Sequence, residues 1–107
     1  MTFITQASYT SEAWANLVKN PENREAATRA LVEKVGGRLI AYYYCFGEHD
    51  TITIYEAPDE TVAAGAILAS IGAGHVKACK TTVLFTMEQA MEAMRKAGTI
   101  SFSGPKG

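Results

Sequence analysis

Residues 38–56 read RLIAYYYCFGEHDTITIYE. Two runs rich in tyrosine, isoleucine and threonine flank a turn of Gly47, Glu48, His49 and Asp50. Aromatic and β-branched side chains suit a pleated, half-buried surface, and a short polar insert containing glycine between two such runs predicts a β-hairpin. The first strand is placed over Arg38 to Phe46 and the second over Thr51 to Tyr55. In the second, Ile52 and Ile54 take one face, and Thr51, Thr53 and Tyr55 the other. In the first, strict alternation sends Leu39, Ala41, Tyr43 and Cys45 one way and Ile40, Tyr42, Tyr44 and Phe46 the other. Both its faces are then apolar, whereas a strand with one wet face alternates with polar residues. Such a strand needs two covers: helices on one side and, on the other, a second copy of the chain. Burying one more aromatic side chain is worth roughly 1.5–3 kcal/mol, so leaving Tyr42, Tyr44 and Phe46 bare on the face away from the helices would be costly, and a homodimer pairing sheet against sheet is expected.

Working outward, Thr2 to Tyr9 reads as a first strand. Thr10-Ser11 offers an N-cap to a short helix ending near Lys19. Asn20 and Pro21 read as the cap and first position of a second helix, because proline's missing N–H is no loss there. That helix carries Ala27, Leu31 and Val35 as its buried stripe and stops at Gly36-Gly37. Asp59 caps a helix from Glu60 to Ile71. A last strand spans His75 to Phe85. Thr86, with Gln89 three residues on, forms a capping box for a final helix that presents Met87, Met91 and Met94 on one face. The order is β-α-β-β-α-β with an extra C-terminal helix, a ferredoxin-like α+β arrangement. Residues 1–98 are expected to form one domain and residues 99–107 a flexible tail. The strand order expected is 4-1-3-2, with helices on one face of the sheet.

The 107 residues carry a net charge of −1 and no basic run, so nothing attracts nucleic acid or an anionic membrane surface. No apolar stretch approaches the ~20 residues a membrane helix needs. The N-terminus lacks a basic segment followed by an apolar one, which points to the cytoplasm, with Cys45 and Cys79 reduced.

The chemistry-bearing candidates cluster at the hairpin turn. Gly47 offers a backbone angle that other residues avoid, and Asp50 can accept N–H bonds that hold the turn. The functional reading makes Asp50 an anchor for a ligand or an orienter of His49, since imidazole suits acid–base work near neutral pH. A metal site is a second possibility. Cys45-x-x-x-His49 and His75-x-x-x-Cys79 hold four ligands of the type zinc prefers. Placing them on opposite edge strands, some three spacings of ~4.8 Å apart and at opposite poles, argues against their meeting in one chain. Tyr9, Arg38, Glu56, His75 and Lys77 are expected together at the pole away from the turn, as a charged rim or an anion-binding patch. Serine-nucleophile, phosphate-loop and zinc-protease motifs are missing, and no cofactor is expected.

The stretches NPENREAATRALVEKVGGRL, GEHDTITIYEAPDE and ILASIGAGHVKACKTTVLFTMEQAMEAMRKAG, in that order and spacing, resemble the GYD-domain proteins. That resemblance implies a dimeric α+β barrel. The family's turn is commonly Gly-Glu-Tyr-Asp; here Gly47, Glu48 and Asp50 match, and His49 stands at the tyrosine position. The hairpin is also similar to that of the ligand-sensing domain of leucine-responsive and AsnC-type regulators, which bind small effectors near this turn; their DNA-binding segment has no counterpart here. These likenesses imply a small-molecule-binding homodimer with Tyr44, Glu48, His49 and Asp50 as contacts. The alternatives are a cofactor-independent enzyme with His49 as acid–base group, and an interaction module without a pocket.

Overall fold

Eight elements follow one another in the computed structural model, which describes residues 1–106: β1 (Thr2–Tyr9), α1 (Ser11–Lys19), α2 (Arg24–Lys34), β2 (Arg38–Tyr44), β3 (Thr51–Glu56), α3 (Glu60–Gly72), β4 (Val76–Leu84) and α4 (Met87–Ala97). The strands form one sheet in the order β2-β3-β1-β4, every pair antiparallel. This is the expected ferredoxin-like α+β fold with an added C-terminal helix. Gly107, the last residue of the expected tail, lies outside the described residues.

The helices start where side chains can satisfy their first N–H groups. Thr10, Asp59 and Thr86 cap α1, α3 and α4, and the Thr86–Gln89 capping box is complete. One cap differs from expectation. Asn23, not Asn20, caps α2, its side chain accepting from Ala26 N at 3.1 Å. Pro21 therefore lies in the connection between α1 and α2. The stripe on α2 is also rotated: Val32 is buried and Ala27 is exposed.

Pairing fixes which residues share a face, because partners directly opposite point the same way. Under the helices, Leu39, Tyr55, Phe3 and Val83 form one row across the four strands. With Val32, Ala57 and Ala63 they make the core. The other face carries Ala41, Ile54 and Ile4 in one row, and Tyr43 beside Ile52 in the next. No helix covers that face.

Strict alternation in β2 fails at one residue. The pairing passes from Leu39↔Tyr55 to Ala41↔Ile54, so Ile40 is an extra, unpaired residue. A bulge of this kind reverses the parity of everything after it. Tyr42 and Tyr44 therefore share the helix side with Leu39, and Tyr43 turns to the bare side, where it is 64% exposed. The bare face is apolar toward β2, through Tyr43, Ala41, Ile4, Ile52 and Ile54 rather than through Tyr42 and Tyr44, and polar toward β4, where Gln6, Lys80 and Thr82 share it.

The expected poles also change. Arg38 pairs with Glu56 beside Thr2, where β1 starts, and two hydrogen bonds of 3.2 Å join their side chains. Tyr9 and His75 stand at the other pole with the hairpin turn, since Thr10 N donates to His75 O and Asp50 N to Ala7 O. The β2 and β4 strands are antiparallel, so Cys45 and His75 lie at one pole, still on opposite edges of the sheet. Among the described residues no group of three potential metal ligands converges.

Candidate functional site

The β2–β3 connection runs from Cys45 to Asp50. Cys45 N donates to Asp50 O at 2.8 Å, and Cys45 Sγ donates to His49 O at 2.9 Å. The turn is thus closed by its own ends. Gly47 does not adopt the left-handed backbone expected of it, and a side chain there would meet open space. The positive φ angles belong to Gly36 and Gly74, which end α2 and α3.

Asp50 reaches outward instead of bracing the turn. Its Oδ2 accepts from Tyr9 N at 2.9 Å and from Trp14 Nε1 at 3.0 Å. One carboxylate oxygen thereby fastens the hairpin to the end of β1 and to α1. Around this anchor the aromatic rings gather: Trp14 lies 5.3 Å from Tyr9 and 5.9 Å from Tyr44, and Tyr42 lies 5.8 Å from Tyr44, centroid to centroid. The cluster joins β1, α1 and β2. Sequence reading missed Tyr9 and Trp14 as parts of this site; the signal was faint, an indole N–H that needs a partner once buried.

Of the four expected contacts, Tyr44 and Asp50 are joined through Trp14. His49 is half-buried, and its Nδ1 is enclosed without a hydrogen-bond partner among the described residues. Glu48 is exposed. Phe46 projects from the turn at 98% exposure.

Burial pushes the Tyr42 phenol far above its ordinary range, and the neighbouring Tyr9 adds to this. Burial also raises Tyr44 and Tyr55. These phenols are therefore hydrogen-bond donors at neutral pH. The Arg24 guanidinium is held in its charged form chiefly by its 2.8 Å bond to Glu22. Between the sheet and helices α2 and α3 lies a cavity of about 180 Å³, reached by Tyr9, Tyr42, Arg24 and His75.

None of the helices among the described residues is long and apolar enough to cross a membrane. The family model for the GYD domain matches residues 3–94. A relative from Thermus thermophilus, named glutamine synthetase and cystathionine beta-lyase binding protein, is 34% identical over 76 residues, which is 71% of this chain and 80% of the relative. With the fold, the hairpin and a family match over nearly the whole chain in agreement, the chain belongs to the GYD domain family.

Proposed function

We propose that the protein is a homodimeric binding module that engages other proteins. The observation that carries this reading is the surface it leaves uncovered. The single chain exposes 7675 Å², where a compact monomer of 11.5 kDa shows roughly 5,800 Å². Its radius of gyration is 17.6 Å, against about 13 Å for a compact domain of this length. The excess of about 1,900 Å² is the size of surface that a permanent interface removes from water.

The excess is apolar where it matters. Helix α4 projects from the body with no buried residue, and Phe85, Met87 and Met94 are each about two-thirds exposed or more. The uncovered sheet face adds Tyr43 and Ile40. In this reading two copies pair through their bare sheet faces, and each α4 lies across the partner. The assembled body then binds a metabolic enzyme of the glutamine synthetase or cystathionine β-lyase kind. The relative's printed name supports that partner class.

Light scattering after size exclusion tests the first part: a dimer at micromolar concentration is expected, and a monomer at tens of micromolar overturns it. Biolayer interferometry with purified glutamine synthetase and cystathionine β-lyase from the same host tests the second. Saturable binding to either enzyme is expected; binding to neither overturns the partner class.

A second reading rests on His49. Its enclosed, unpartnered Nδ1 supports a small-molecule site at the turn, with Tyr44 as an apolar wall, and Glu48 and the second oxygen of Asp50 as polar contacts. In an enzyme, His49 would be the acid–base group there. Native mass spectrometry of protein purified gently from its host tests it. A reproducible added mass that His49→Ala loses supports this reading, and the same mass on both chains sinks it.

A further inference from the structure

One row of the sheet departs from the rule for a helix-covered face. Tyr42, Thr53, Thr5 and Thr81 stand opposite one another across the four strands. The adjacent row, Leu39, Tyr55, Phe3 and Val83, is core. Placing hydroxyls under helices carries a desolvation cost that apolar side chains of the same size avoid. Thr81, at the β4 edge, is exposed, but Thr53 is buried and Tyr42 and Thr5 half-buried, and these three call for another use.

Three of these hydroxyls, those of Thr5, Thr81 and Tyr42, bond to other hydroxyls in or beside the row. Thr5 Oγ1 lies 2.9 Å from both Tyr55 Oη and Thr81 Oγ1, and Tyr9 Oη lies 3.1 Å from Tyr42 Oη. Each hydroxyl has one proton to give. The first group holds three protons for two bonds, and the second two protons for one. Each group therefore keeps one O–H that its internal bonds do not use.

Tyr42, Thr53 and Thr5 of this row line the floor of the cavity between the sheet and helices α2 and α3. Leu31 and Ile67 give it apolar walls, and Arg24 and His75 line it as well. No Asp or Glu among the described residues lines it. Arg24 gives one N–H to Glu22, and a guanidinium has five. The space thus offers donors, one fixed positive charge and an apolar flank. Its 180 Å³ is room for about six water-sized groups, at about 30 Å³ each.

We propose that this hydroxyl-floored cavity binds a small carboxylate with a short apolar body. The carboxylate takes the spare hydroxyl protons and a free N–H of Arg24, and the body lies against Leu31 and Ile67. An amine of the same length finds donors where it needs acceptors. The site lies within one protomer and on the helix side of the sheet, so it stands whether or not two copies pair.

Amide chemical shifts of the full chain, titrated with butyrate, butyramide and n-butylamine at pH 7, test the proposal. Butyrate is expected to move Thr5, Thr53 and Tyr42 saturably and to bind at least about tenfold more tightly than n-butylamine, the scale of one charge-assisted hydrogen bond. Thr53→Val and Tyr42→Phe keep the side-chain shape and are each expected to weaken butyrate several-fold. No saturable shift with butyrate overturns the proposal. So do equal responses to the amine, or unchanged butyrate affinity in whichever of the two variants is folded.

Discussion

Trp14 Nε1 donates to Asp50 Oδ2 at 3.0 Å, which joins helix α1 to a hairpin turn 36 residues further along the chain. The same oxygen holds Tyr9 N. Removing it strands two donors in a half-buried place, at about 1–3 kcal/mol for each unsatisfied group. Asp50→Ala is expected to lose about 2–4 kcal/mol. Asp50→Asn keeps an acceptor oxygen and should lose less. The chain's single tryptophan reports both by fluorescence in urea unfolding. An alanine variant as stable as the parent would remove Asp50 from the account of the fold.

Glycine tolerance differs sharply by position. A Cβ on Gly37 runs into the carbonyl oxygen of Glu56 and lies 3.0 Å from the Val32 side chain. Backbone cannot step aside as a side-chain tip can, so Gly37→Ala is expected to cost about 3 kcal/mol or more. Gly36, at φ +84, should cost about 1–2 kcal/mol through left-handed strain alone. Gly47→Ala should stay within about 0.5 kcal/mol. Thermal unfolding of the three variants gives the order directly; a Gly37→Ala chain as stable as Gly47→Ala contradicts it.

Burial raises the phenols of Tyr42, Tyr44 and Tyr55. A raised phenol keeps its proton in the folded chain while the unfolded chain loses it near pH 10. The stability this confers is full below about pH 10 and drains away as pH rises from there toward the folded values. Absorbance at 295 nm should therefore show three late-ionising tyrosines, with unfolding setting in as they titrate. One shared step near the free-tyrosine value, in a chain still folded by circular dichroism, would contradict this.

Tyr43 stands on the bare face at 64% exposure, so a charge there leaves the protomer's core alone. Tyr43→Asp is expected to give a monomer by light scattering where the parent is a dimer. Tyr42→Phe, on the other face, should leave the mass unchanged. The reverse pattern would place the interface elsewhere.

Much of this fold was legible because its boundaries are chemical. Thr10, Asp59 and Thr86 announce helices by cap chemistry, and the alternation of TITIY is obeyed to the residue. Asn20 was indistinguishable from Asn23 in sequence, since both are good caps and only the path of the connection chooses between them. The bulge at Ile40 could not be read, because an unpaired residue in an apolar run carries no mark of its own. The candidate site suffered most from this. Alternation put Tyr42 and Tyr44 on the wrong face, and the poles were misassigned, so the meeting of Asp50 with Tyr9 and Trp14 stayed hidden. His49 and Asp50 stood out as residue types; what each touches depends on partners remote in sequence.

Ile40 works like the frame of a reading. Everything downstream of it in β2 is displayed one way because this single residue stays out of the pairing, and the alternative displays are unlike: two phenols inward and one outward, or the reverse. Taking Ile40 into the ladder as a paired residue would change no residue of the chain. It would nevertheless empty the aromatic cluster around Asp50 and crowd the uncovered face with Tyr42 and Tyr44. A chain so altered would keep its fold class while exchanging the chemistry of its two surfaces. In this molecule the spacing of residues, as much as their identity, is what a functional comparison with relatives has to match.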